Sequence, residues 1–149
     1  MKMLLVSSNG GHLHQLLALR SWWEQHDRVW ATAEKPDAES LLEGERVVWS
    51  NHPTTRNAPN MVRNFFLANR VISNFKPDVV VSTGAGVAPP FFLAAKMRRI
   101  STVYLEVYDR LDSRTMAGSM CYPMSDRFLL QWEEQRSLYP RGIVVGRVL

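Results

Sequence analysis

Cysteine is almost missing: Cys121 is the single one in 149 residues, so an internal disulfide is excluded and packing must hold the fold. That usage fits a reducing compartment. No apolar run approaches the roughly 20 residues that a membrane-spanning helix needs. The first residues lack the basic, then apolar, then small-residue order of a secretion signal, and the expected location is cytoplasmic. No Cys and His spacing suits zinc; His12, His14, His26 and His52 do not form a ligand set, and neither a metal nor another cofactor is expected. No repeat, linker or low-complexity run divides the chain, so 1–149 is expected to be one domain. Acidic residues are the minority, 14 against 18 Lys and Arg, for a net charge of +4. A basic surface suits nucleic acid, anionic lipid or phosphorylated ligands. No recognition helix or aromatic RNA-binding signature is visible, so nucleic acid is not an expected partner.

What is present is apolar patterning, with 46% hydrophobic residues, enough for a sizeable core. Leu4-Leu5-Val6 stops abruptly at Ser7-Ser8-Asn9-Gly10-Gly11. Such a run, bounded by turn formers, reads as a strand buried on both faces. Leu13, Leu16 and Leu17 then recur at roughly helical spacing. A glycine loop that opens a helix offers backbone N–H groups to an anion. His12 sits at its mouth, a residue type suited to acid–base chemistry. The loop is neither the dinucleotide fingerprint nor a P-loop, and a structural tight turn reads equally well from its shape.

The same unit occurs again. Val79-Val80-Val81-Ser82 reads as a buried strand, Thr83-Gly84-Ala85-Gly86 as a loop, and Val87 to Met97 as a helix with prolines in its first turn. Further strands are expected at 28–33, 47–49, 101–106, 127–130 and 143–145, and a turn at 122–126. A helix is expected over Asn60 to Phe75, after an extended loop at 50–59. On that helix Arg63, Phe66 and Arg70 fit either a solvated basic face or a helix lying on anionic lipid. Alternating strands and helices predict an α/β fold, a Rossmann-like, mainly parallel sheet with helices on both faces. Both glycine loops and Glu106 fall at carboxyl ends of strands, where ligands of such folds gather, and so predict one shared site.

Ser8-Asn9-Gly10-Gly11-His12, Ser82-Thr83-Gly84-Ala85-Gly86, Tyr104-Leu105-Glu106 and Asp126-Arg127-Phe128-Leu129-Leu130-Gln131-Trp132 occur here in that order. With them the chain resembles the PssD-like oligosaccharide biosynthesis family, related to the membrane-anchoring subunit of the dolichol-linked UDP-N-acetylglucosamine transferase. The first loop is also similar to that of the peptidoglycan lipid-intermediate glycosyltransferase. The resemblance implies the N-terminal, acceptor-side half of a split GT-B glycosyltransferase. A small catalytic partner subunit would bind the UDP-sugar donor. The acceptor would be linked to polyprenyl diphosphate, at the inner face of the cell membrane, in exopolysaccharide or capsule synthesis. Eukaryotic relatives carry an N-terminal span that is missing here, so membrane contact is expected to be peripheral, through Arg63, Phe66 and Arg70.

On that reading the acceptor diphosphate lies on Asn9, Gly10 and Gly11 and on Thr83, Gly84, Ala85 and Gly86. His12 is the expected base for the acceptor hydroxyl. Glu106 either serves as that base, binds acceptor hydroxyls, or pairs with Arg110 or Arg114. Trp132 and Tyr139 are expected either to anchor the partner or, as aromatics more often do, to pack in the core. Relatives tend to have Glu where Gln15 stands, and many bacterial ones have Gly-Lys where this chain has Gly118-Ser119. The other reading is a non-catalytic scaffold that recruits and stabilises a catalytic partner at the membrane.

Overall fold

The computed structural model describes residues 1–148. Its centre is a sheet of seven strands: β1 (Lys2–Ser7), β2 (Asp27–Ala33), β3 (Val47–Ser50), β4 (Val79–Gly84), β5 (Ser101–Leu105), β6 (Arg127–Leu130) and β7 (Ile143–Val144). The order is β3-β2-β1-β4-β5-β6-β7, and every neighbouring pair is parallel. The chain therefore leaves β1 in one direction to build β2 and β3, then returns to start β4 on the other side. That reversal lies between β1 and β4, and a crevice at such a point is where doubly wound folds place ligands.

Alternation along β1 and β4 explains the two faces. Leu4, Val6 and Val80 join a core with α4 (Ala58–Phe75) and α5 (Ala88–Met97). Met3, Leu5, Val79 and Val81 join a second core under α1 (Gly11–Leu17), α2 (Arg20–Trp23) and α3 (Pro36–Leu41). Helices thus cover both faces, as the alternation predicted.

Local chemistry sets the element ends. The Asn57 side chain accepts a hydrogen bond from the Asn60 N–H, so α4 begins at Ala58, two residues before the expected start, with Pro59 in its first turn. Lys76, left-handed at φ 54°, ends it ahead of Pro77. A short helix, α6 (Met116–Cys121), has no counterpart among the expectations. Thr115 caps it by accepting from the Gly118 N–H at 2.8 Å. The expected turn at 122–126 holds a 3-10 turn over Tyr122–Met124.

Candidate functional site

The two glycine loops touch. Pairing of β1 with β4 slips between Val6 and Ser7, so that Ser7 faces Gly84, and the Ser8 N–H donates to the Gly84 carbonyl at 3.1 Å. Thr83 Oγ1 donates to the His12 carbonyl at 2.6 Å. His12 Nδ1 lies 2.9 Å from the Thr83 carbonyl oxygen. A carbonyl only accepts, so Nδ1 carries the proton of this bond, and the neutral ring keeps its lone pair on Nε2. Gly84 makes the approach possible. Its φ is +109°, and a Cβ there would sit 3.0 Å from His12 Nδ1.

His12 lines a cavity of about 570 Å3 together with Thr54, Arg56, Ala85, Gly86, Tyr104 and Thr115. Met61 of α4, Pro89 of α5 and Met116 and Met120 of α6 complete the wall. No Asp or Glu is among its lining residues, and Arg56 makes no ion pair or hydrogen bond within the described residues. The Tyr104 phenol is buried, and burial followed by the nearby Glu106 charge pushes it well above the usual range, so it stays a neutral donor. Thr54 packs on Gly86, where a Cβ would lie 2.8 Å from the Thr54 hydroxyl.

A second space adjoins the first. Met61, Pro89 and Met120 also line a wholly apolar groove of about 360 Å3, with Val62, Phe65, Phe66, Pro90, Leu93 and Met124. Phe66 and Val62 are 67% and 54% exposed there, so large apolar surface faces water without a partner. Arg63 and Arg70 stand on the flank of α4 turned away from Phe65, by the 3.6-residue turn of the helix. Arg63 donates to Asn60 Oδ1 at 2.8 Å, and Arg70 lies in a separate hollow beside Arg46 and Phe75. A third, polar hollow takes in Asn9, and meets the His12 cavity at Thr54. Gly10 and Gly11 are exposed and line neither of these two spaces. Thr83 and Gly84 are buried behind the cavity, and only Ala85 and Gly86 of that loop reach it.

Glu106 is not on the wall. Its side chain is fully buried and pairs with neither Arg110 nor Arg114. Its carboxylate accepts from the Val107 N–H at 3.0 Å, from Thr115 Oγ1 at 3.0 and 3.1 Å, and from the Tyr139 hydroxyl. It braces Thr115, which does line the cavity, and so acts on the site from beneath. Tyr139 corrects a second expectation. It is fully buried, 4.4 Å from the Phe128 ring, and belongs to the core rather than to a docking surface. Trp132 is half-buried, with its indole N–H donating to the Tyr108 carbonyl at 2.6 Å. Thr54, Arg56, Met116 and Met120 were not foreseen. Thr115-x-x-Gly118 is the one sequence signal that marks their surroundings, as a helix cap.

A family model described as "Oligosaccharide biosynthesis protein Alg14 like" matches residues 49–148. The chain belongs to this family. It is similar to the human UDP-N-acetylglucosamine transferase subunit ALG14, 27% identical over 94 residues, which is 59% of this chain and 44% of that protein. It is 38% identical over 74 residues, 48% of its length, to a protein of Halothermothrix orenii. That protein is named UDP-N-acetylglucosamine--N-acetylmuramyl-(pentapeptide) pyrophosphoryl-undecaprenol N-acetylglucosamine transferase, and the match takes in 19% of it. Among solved structures it superposes on Acinetobacter baumannii MurG with a TM-score of 0.73 at 17% identity, over 90% of this chain and 43% of that one. In each case the chain spans less than half of the relative's own length. The fold is the Rossmann-like half of a GT-B architecture.

Proposed function

We propose that this chain is the acceptor-binding subunit of a two-component, UDP-sugar-dependent glycosyltransferase that acts on a polyprenyl-diphosphate-linked acceptor. The observation that carries the proposal is the junction of a cationic cavity without carboxylates and a wholly apolar groove. An acceptor of this class is a diphosphate joined to a long hydrocarbon, and the two compartments match its two parts. The human relative is named as a UDP-N-acetylglucosamine transferase subunit, and the H. orenii relative as acting on a pyrophosphoryl-undecaprenol compound. The setting proposed with it is exopolysaccharide or capsule assembly, carried over from the family resemblance.

In this reading Arg56 and the backbone N–H groups of Ala85 and Gly86, on the cavity wall, hold the diphosphate. Thr83 and Gly84 set the loop that presents Ala85 and Gly86, while Gly10 and Gly11 turn the chain from β1 into α1 and so place His12. The acceptor hydroxyl attacks the anomeric carbon of the UDP-sugar supplied by the partner subunit. Its proton passes to His12 Nε2, the new glycosidic C–O bond forms, and the bond to UDP breaks with UDP as leaving group. Glu106 is a positioning residue here, through Thr115. The exposed Phe66 enters the membrane surface while Arg63 and Arg70 face anionic headgroups, which makes the contact peripheral. Trp132, whose indole N–H bonds the carbonyl of the exposed Tyr108, forms the partner surface.

The test is transfer by the chain reconstituted with its partner subunit, a UDP-sugar and a lipid-linked acceptor. With the fold intact by circular dichroism, His12→Ala is expected to lower kcat about 10²- to 10⁴-fold, the range of a general base. Full activity in that variant would favour the scaffold reading instead.

A further inference from the structure

Across Thr54 from the His12 cavity lies the polar hollow, about 280 Å3 in volume. Ser8 and Asn9 reach it from the end of β1, Lys35 from beyond β2, and Ser50 and His52 from the end of β3. Ser50 is only 6% exposed, yet its hydroxyl has no hydrogen-bond partner within the described residues. The Lys35 side chain likewise has neither an ion pair nor a hydrogen bond within the described residues, and the Ser8 and His52 side chains have none. Asn9 donates its amide N–H to the Ala33 carbonyl at 3.0 Å and keeps its own oxygen as an acceptor. No Asp or Glu lines the hollow. The Ser50 hydroxyl lines the hollow and is open to a ligand atom there.

The three spaces run in one order: apolar groove, cationic cavity, polar hollow. The first two share Met61, Pro89 and Met120, and the second and third share Thr54. An amphiphile laid along them has its tail in the groove and its polar end beyond Thr54. At about 280 Å3 the hollow has room for one sugar ring.

We propose that this hollow is the acceptor's head-group subsite and takes a sugar ring bearing an anionic substituent, a carboxylate or a phosphate. Lys35 meets the charge, and Ser8, Ser50 and Asn9 meet ring hydroxyls. The proposal rests on the acceptor-binding reading above.

The test is a set of titrations of the full ¹⁵N-labelled chain with glucuronic acid, glucose 6-phosphate, glucose and inorganic phosphate, followed by amide shifts. At least one of the two sugar acids shifts Ser8, Lys35, Ser50 and His52 and binds at least tenfold more tightly than glucose. Which one does so separates carboxylate from phosphate as the substituent. Lys35→Ala, at an exposed position, removes the preference over glucose; Ser50→Ala weakens acids and glucose alike and leaves the preference in place. Equal binding of glucose and both acids would overturn the proposal, as would shifts confined to other regions. Inorganic phosphate as strong as the sugar acids would overturn the sugar component. Farnesyl diphosphate titrated into the same sample reports on the underlying reading through His12, Arg56 and Ala85. Sugar-acid shifts in the hollow with no farnesyl diphosphate response would overturn the assignment to an acceptor.

Discussion

Gly118 shows how much a single residue sets beneath the site. A Cβ there would press on Glu106 Oε2 and lie 2.5 Å from the Tyr139 hydroxyl and 2.6 Å from Thr115 Oγ1. These groups form one hydrogen-bonded cluster around a buried carboxylate, and none can give way without leaving another unsatisfied. Gly118→Ala is therefore expected to destabilise by about 1–3 kcal/mol, the usual cost of overpacking, and to lower Tm by several degrees. An unchanged Tm would contradict this account of the cluster. Cys121 lies fully buried at its edge, and burial followed by the Glu106 charge pushes its thiol above the ordinary range. Reactivity requires thiolate and access. Native protein at pH 8 is expected to resist a maleimide reagent, with labelling only in denaturant; rapid labelling of the folded chain would contradict the placement. Glu106 was legible as a notable residue but not as a buried one, while Tyr139 read either as an anchor or as a core aromatic. The partners of Glu106, Thr115 and Tyr139, lie 9 and 33 residues from it, a separation that pattern reading along the chain does not bridge.

At the scale of elements, β2 and the loop between α3 and β3 are tied by one brace. Arg28 reaches both oxygens of Glu45, at 2.6 and 2.9 Å, and Trp30 Nε1 donates to the same carboxylate at 2.7 Å. The hydrogen bond from Arg28, aided by that from Trp30, holds Glu45 below its ordinary value of 4.5. A carboxyl whose folded value is depressed contributes stability above its unfolded value and loses it as pH falls through the folded one. Tm is thus expected to fall as pH drops below about 4.5, and Glu45→Gln is expected to flatten part of that fall. An identical slope in the variant would show that the brace carries no pH dependence. The strands were legible as short apolar runs bounded by turn formers, and the two long helices as longer apolar segments between loops. The short helix α6 was not: Met116-Ala117-Gly118-Ser119-Met120-Cys121 has a central glycine and less than two turns of pattern. Its start is written in Thr115, a cap, and its position comes from packing against α5. The segment 51–57 read as loop, and it is loop. That Thr54 turns back over Gly86 brings the segment after β3 against the loop after β4, although β2 and β1 lie between those two strands in the sheet.

At the scale of the molecule, the decisive feature is the reversal of strand order between β1 and β4. Repetition of strand, glycine loop and helix is visible in the sequence; which strands neighbour each other is not, since parallel pairing joins residues some 75 apart, as Met3 with Val79. Once β1 and β4 are adjacent, both loops face one crevice, and the spaces beside it form a path from apolar to cationic to polar. The central claim is that this path binds a lipid-linked diphosphate. Titration of the chain alone with farnesyl diphosphate, with UDP-N-acetylglucosamine in parallel, tests it most directly. The account predicts saturable farnesyl diphosphate binding that Arg56→Ala weakens about tenfold or more, the loss expected for a charge-assisted contact, and no comparable binding of the nucleotide sugar. Tight binding of the nucleotide sugar, with none of the prenyl diphosphate, would contradict it.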